Sequence, residues 1–132
     1  MPDATDQFYS VVTRSGGLAL SAALASGEPL VITHLAIGDG EIVPIESLEG
    51  LVAERWRGIC SRALHAEEAG WVELEVAIPE EVGGFMMREV AAYAGETLLA
   101  VGAYPPTYLP MMPSGARKTV SAKMVIEITQ QG

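Results

Sequence analysis

Two stretches of the chain have apolar residues at every second position, with Val125 as an exception in the second stretch, and this alternation constrains the fold more than any other feature. The first is segment 70–81, GWVELEVAIPEE, whose apolar positions are Val72, Leu74, Val76 and Ile78. The second is segment 119–129, TVSAKMVIEIT, whose apolar positions are Val120, Ala122, Met124, Ile126 and Ile128. A period of two is that of a β-strand, so each segment predicts a strand with one buried and one wet face. Antiparallel sheets are typically built from such strands.

Four further segments have the composition of strands. Segment 30–37 is rich in β-branched and aliphatic residues, and segments 85–93 and 97–103 flank a short loop that contains Gly95. That arrangement predicts a β-hairpin. Segment 57–65 is expected to pair with the alternating strand that begins near Trp71, through a second hairpin loop.

Two segments near the N-terminus predict helices. In segment 15–29, Ser15 is expected to cap the helix, Gly27 to close it, and Pro29 to prevent its continuation. Segment 44–56 predicts a second, shorter helix. The chain is therefore expected to have an α+β fold, with short N-terminal helices packed on a mostly antiparallel β-sheet, in one domain over residues 1–132.

Composition and charge exclude several classes of function. The chain has 132 residues, 49% of them hydrophobic, and a net charge of −9. A general nucleic-acid or anionic-membrane binder needs a basic surface, so we expect neither partner. The N-terminal residues are polar and acidic, unlike a secretion signal, and apolar stretches stay well below the ~18 residues of a membrane span. The protein is therefore expected to be made in a cytoplasm.

The run Gly38-Asp39-Gly40 admits two interpretations, a turn and a metal site. Glycine tolerates positive φ and aspartate bonds its own backbone, so the run favours a turn. A calcium loop needs oxygen ligands at alternate positions, and Ile42 and Val43 stand where ligands would be required. We therefore interpret the three residues as structural and predict no metal and no cofactor.

The stretch IPEEVGGFMMREVAAYA, residues 78–94, carries the most concentrated charge pattern. Glu80 and Glu81 precede Gly83 and Gly84, in a connection between two strands. Paired carboxylates for acid–base catalysis need environments that separate their pKa values, which neighbouring residues of one turn do not supply. The two glycines are expected to let the backbone turn into the next strand.

Arg88 and Glu89 lie next to each other on a predicted strand, so they face opposite sides of the sheet. One of them must point inward or line an interface, and an inward charge on a strand needs a partner. On these physical grounds we expect Arg88 to be buried or half-buried and paired with a carboxylate. No catalytic residue is predicted, because no order of nucleophile, base and acid, and no phosphate-binding loop, is present.

The segment 104–115 contains prolines that neither a helix nor a central strand accommodates. We expect a long, stiff loop here, and loops of this kind are often functional. Met111 and Met112 are candidate exposed apolar contacts, although folding back on the sheet is an equal alternative. With Tyr104 and Tyr108, they form the predicted partner-binding set.

Taken in order, these motifs resemble the N-terminal domain of phage tail-collar fibre proteins. The resemblance begins with the aromatic pair, small-residue helix and Gly-Asp-Gly of segment 8–40. It continues with Glu54 and Arg57, with segment 78–93, and with the Val-Gly, Pro, Thr-Tyr, Pro and Gly positions of segment 101–115. No single motif is specific, but their order and spacing are. The run FMM stands where the family commonly has bulky aromatics.

The resemblance implies a structural protein of the virion tail, which joins a fibre to the baseplate. It implies a baseplate protein as partner, and trimers held by a distal shaft that this chain lacks. It also implies an architectural role for the pair Arg88 and Glu89 and no catalysis. Two alternatives stay open from the residues alone: a generic protein-interaction domain unrelated to phage, and a hydrolase that uses Glu80, Glu81 or Glu89.

Overall fold

The computed structural model describes residues 9–66, 71–111 and 120–127. Within these residues the chain forms one helix and eight strands. In chain order they are β1 (Tyr9–Val12), α1 (Arg14–Ser26), β2 (His34–Gly38), β3 (Glu54–Ile59), β4 (Arg62–Ala66), β5 (Trp71–Ile78), β6 (Phe85–Ala94), β7 (Thr97–Leu109) and β8 (Val120–Glu127). No helix among them is both long and apolar enough to cross a membrane.

The strands form two antiparallel sheets that pack face to face. The larger sheet has the order β1-β7-β6-β2-β3 and the smaller has the order β4-β5-β8. Leu35 and Val90 of the larger sheet share one buried cluster with Leu74 and Met124 of the smaller sheet. Aliphatic and methionine side chains therefore fill the space between the sheets.

The alternating segments form strands as their period predicts. Strands β5 and β8 pair along their full lengths, from Trp71↔Glu127 to Ile78↔Val120. Every second residue of β5 is buried, and so is every second residue of β8 from Ala122 to Ile126. The β6–β7 hairpin is also confirmed, with Gly95 in its turn at a φ of 63°.

The predicted α+β class is wrong, because the described chain is mostly antiparallel strand with a single helix. Most of segment 44–56 runs without regular secondary structure, and from Glu54 it becomes strand β3. Its half-buried residues Leu48 and Leu51 pack instead on the outer face of the larger sheet, beside the buried Ile42 that precedes the segment. The apolar spacing that suggested a helix reflects this packing.

The N-cap of helix α1 lies two residues before the predicted one. Thr13, not Ser15, is the N-cap, and its hydroxyl oxygen accepts a hydrogen bond from the amide of Gly16 at 3.0 Å. Gly27 closes the helix in the left-handed conformation, as predicted. The helix approaches β7 so closely that a Cβ on Gly16 would overlap the main chain of Leu99.

Segment 57–65 does not form one strand of one hairpin. The chain leaves the larger sheet after Ile59 and enters the smaller sheet at Arg62, where β4 pairs with β5. The amide of Ser61 donates to the carbonyl of Glu75 and so begins the second pairing. The predicted pairing of segment 57–65 with β5 is therefore confirmed only for the part that forms β4.

Strand β7 passes through part of the segment predicted to be a loop. It continues to Leu109, although it contains Pro105 and Pro106. The pairing with β6 shifts between Met87↔Thr107 and Glu89↔Ala103, so three residues of β7 stand opposite one of β6. Such a bulge accommodates prolines because its residues do not have to donate to the ladder.

Candidate partner-binding surfaces

The most elaborate polar arrangement holds residues 39–53, which we call the covering segment. This segment crosses the outer face of the larger sheet, with Ile42, Leu48 and Leu51 packed beneath it. Glu89 of β6 is fully buried under it. The Glu89 carboxylate accepts hydrogen bonds from the amides of Val52 at 2.8 Å, Ala53 at 2.8 Å and Gly40 at 2.9 Å. One buried anion therefore fixes both ends of the segment.

The glycines of the Gly38-Asp39-Gly40 run are required by this close approach. A Cβ on Gly38 would collide with a Glu89 carboxylate oxygen and with the carbonyl oxygen of Ala53. A Cβ on Gly40 would collide with the side chain of Val52. Neither glycine has positive φ. The glycines of the run therefore make room for the carboxylate instead of permitting an unusual turn.

Arg88 does not make the expected pairing with a carboxylate. Its Nη1 donates to the main-chain oxygen of Asp39 at 3.1 Å. The Asp39 carboxylate instead receives Arg55, at 3.3 Å. The charge that points inward is Glu89, and amides rather than a cation satisfy it. Arg88 and Glu89 therefore both bind the covering segment, Arg88 at Asp39 and Glu89 at Gly40, Val52 and Ala53.

The other two glycines predicted to be structural, Gly83 and Gly84, lie before β6. Gly84 has a φ of 82°, and its amide donates to the Leu109 carbonyl at 2.6 Å. A Cβ on Gly83 would come within 3.0 Å of the carbonyl oxygens of Leu109 and Pro110. The double glycine thus brings this turn against the end of β7. Glu80 is half-buried and Glu81 is exposed in the same turn.

The predicted partner-binding residues do not share one environment. Tyr104 packs against the core between the sheets, and its hydroxyl oxygen lies 3.5 Å from the amide of Lys123. Tyr108 and Met111 are exposed apolar side chains. Met112 lies outside the described residues. A role of these four residues in binding stays a prediction.

The environment of Tyr104 predicts a loss of stability in alkali. Desolvation by burial raises the pKa of Tyr104, against a smaller lowering by the Lys123 amide. The neutral Tyr104 phenol contributes to the free energy of unfolding. This contribution is complete below the pKa of about 10 in the unfolded chain, and it is lost as pH rises through the pKa in the folded protein. We expect Tyr104→Phe to lose less unfolding free energy than the wild type between neutral and strongly alkaline pH. Denaturant titrations across that range measure the difference, and equal slopes would contradict it.

The described sites offer few side chains that could act in catalysis. Both oxygens of Glu89 are occupied by backbone amides, and the carboxylate has no exposed surface. Among the described residues, no three His, Cys, Asp or Glu side chains lie where they could hold a metal ion. A small apolar cavity of about 60 Å³ lies between α1 and both sheets, lined by aliphatic side chains that include Val12, Leu20 and Ile126. Aliphatic walls supply no acid, base or nucleophile.

The sequence interpretation missed the covering segment as a candidate surface. Val43 and Val52 are 72% and 61% exposed, and Ile45 is about half exposed. The signal was present, since the segment has four acidic residues and no lysine or arginine. It was overlooked because Leu48, Leu51 and Val52 match a helical spacing, so the segment was interpreted as a helix. Two exposed surfaces therefore compete as partner sites: the outer face of the covering segment, and the pair Tyr108 and Met111.

Comparison with known proteins identifies the family of this chain. Residues 4–132 match the family described as phage tail-collar fibre protein, N-terminal. The chain belongs to this family, whose members are structural components of the virion tail.

A particular relative is similar over most of the chain. A probable tail fiber protein of Escherichia phage P2 is 36% identical over 130 residues, which is 93% of this chain and 19% of that protein. This chain thus spans about a fifth of the length of that relative. No solved structure matches.

Proposed function

We propose that residues 1–132 act as one attachment domain, which joins a tail fibre to the baseplate of a phage tail. The observation that carries this proposal is the match of residues 4–132 to the N-terminal domain of tail-collar fibre proteins. A fibre needs one end that holds it to the particle, and association with other tail components is what the family implies. The specific partner under this proposal is a baseplate protein.

The geometry of the chain supports an assembly role more than a catalytic one. The structure uses a buried carboxylate and two close-packed glycines to hold a surface segment in one shape. Preorganised surfaces bind with less loss of conformational entropy, so they suit permanent assembly contacts. The hydrolase alternative would use Glu80, Glu81 or Glu89. Glu89 is not accessible, and Glu80 and Glu81 are neighbours in one turn, which does not supply the two different environments that acid–base catalysis needs. We therefore propose that the domain is not an enzyme, and that trimerisation belongs to a distal shaft.

Binding to tails that lack fibres tests the proposal. The probe is the purified, labelled 132-residue chain, added to tails from a phage or prophage that encodes it and carries a stop codon in the fibre gene. We expect saturable binding, located at the baseplate by electron microscopy with gold-labelled chain. An equal amount of heat-unfolded chain is the control.

Absence of binding by a chain shown to be folded would contradict the attachment role. Binding to host cells but not to tails would favour a receptor-binding role. Binding along the tail tube, away from the baseplate, would keep a tail association and remove the baseplate as the partner.

A further inference from the structure

We infer that the outer face of the covering segment is the docking surface, and that its occupant is a protein surface with an apolar centre and a rim of lysine and arginine. This inference rests on the proposed attachment function and adds the chemistry of the partner. Three observations carry it: exposed aliphatic side chains, uncompensated acidic residues around them, and a rigid frame beneath them.

The aliphatic side chains are the first observation. Val43, Ile45 and Val52 are exposed on a segment in which Ile42 is buried and Leu48 and Leu51 are half-buried. Single exposed aliphatic residues are common, but three large ones within ten residues of one short segment are an unusual concentration. Ordinary loop chemistry would place polar residues at these positions. The arrangement fits a contact that removes these side chains from water.

The charges around them are the second observation. Glu41, Glu46 and Glu49 belong to the same segment and are exposed. The ion pairs among the described residues join Arg55 with Asp39, Arg57 with Glu54, and Lys123 with Glu73. None of these pairs neutralises the three glutamates. An acidic rim attracts a basic partner and repels a second copy of this acidic chain.

The frame beneath the surface is the third observation. The Glu89 carboxylate holds both ends of the segment, and the Asp39 amide donates to the Ala53 carbonyl at 3.1 Å. The Arg14 amide donates to the Glu46 carbonyl at 2.7 Å, which ties the middle to the start of α1. The aliphatic and acidic side chains are thus presented in a fixed arrangement. A partner that fits this arrangement loses little free energy in ordering it.

Charge reversal tests the electrostatic part of the inference in the fibre-less tail assay. The site variant is E41K/E46K/E49K, and the matched control is E28K/E96K/E127K, which reverses three exposed acids elsewhere and changes net charge equally. We expect the site variant to bind at least about tenfold more weakly at low salt, and the control to stay within about threefold. Wild-type binding should weaken as salt rises, because salt screens the attraction.

Apolar substitution tests the second part. The site variant is V43S/I45S, and the controls are L18S/L24S on helix α1 and Y108S/M111S on the competing surface. All six residues are exposed, so each variant should fold, which thermal unfolding checks. We expect about a tenfold or greater loss of binding for the site variant alone. Loss confined to either control would place docking on that surface and overturn the inference.

The remaining outcomes separate this inference from the proposed function. If wild type binds tails and every site variant binds equally well, the inference fails and the attachment role stands. If wild type does not bind tails, the proposed function fails with it. Concentration-dependent self-association in sedimentation velocity that V43S/I45S abolishes would make a second copy the occupant, and would also overturn the inference.

Discussion

Replacing Glu89 with alanine should lower the free energy of unfolding by at least about 3 kcal/mol. The substitution removes the acceptor of three backbone amides under the covering segment. Each amide left without a partner costs about 1–3 kcal/mol, and hydrogen bonds to charged acceptors are the stronger kind. A loss of this size lowers the melting temperature of a domain of this length by about 10 °C. Calorimetry or denaturant titration measures it.

Two further variants separate the hydrogen bonds from the loss of side-chain volume. Glu89→Gln keeps the volume, but its amide has one acceptor oxygen and presents a donor to at least one backbone N–H. We expect it to be destabilised too, with faster hydrogen exchange at the Val52 amide. Glu96→Ala, at an exposed glutamate, should change stability by no more than about 0.5 kcal/mol. A Glu89→Gln variant as stable as wild type would contradict this account of the segment.

Replacing Gly16 with alanine should lower the free energy of unfolding by about 2–3 kcal/mol, despite the higher helix propensity of alanine. The new Cβ would lie 2.8 Å from the carbonyl carbon and 2.9 Å from the Cα of Leu99. Main-chain atoms within a sheet cannot yield cheaply, so α1 must move away from β7. This movement also strains the bonds of Thr13, whose hydroxyl donates to the Leu98 carbonyl at 2.7 Å.

Gly17→Ala is the matched control, one residue further along the same helix. A Cβ on Gly17 has no neighbouring atom within 4 Å. Alanine there should stabilise the protein by about 0.5–1 kcal/mol, because glycine is the poorer helix former. Equal effects at the two positions would show that helix propensity, not the contact with Leu99, decides the outcome.

The strands were predictable where one physical signal dominated. The alternation of β5 and β8 reports burial on one side of a sheet, and the β6–β7 hairpin carries its glycine in the turn. The helix end at Gly27 was predictable because an αL residue is needed there. In each case the sequence signal lies within a few residues along the chain.

The errors come from interactions between distant residues. Pro105 and Pro106 lie in a strand because the register shifts opposite Arg88, which the local sequence does not encode. The covering segment has helical spacing but gives its amides to Glu89, more than 35 residues away. Similarly, the partner of Arg88 proved to be a main-chain oxygen brought near by that segment. The candidate surface stayed hidden for the same reason.

A map of the complete tail by electron cryo-microscopy would locate this domain in the assembled particle. We expect its density at the baseplate end of the fibre, with Val43 and Ile45 of the covering segment against a baseplate protein whose facing side chains include lysine or arginine. Contact through another face would remove the docking inference and keep the attachment role. Density for this domain at the distal tip of the fibre, away from the baseplate, would contradict the attachment role itself.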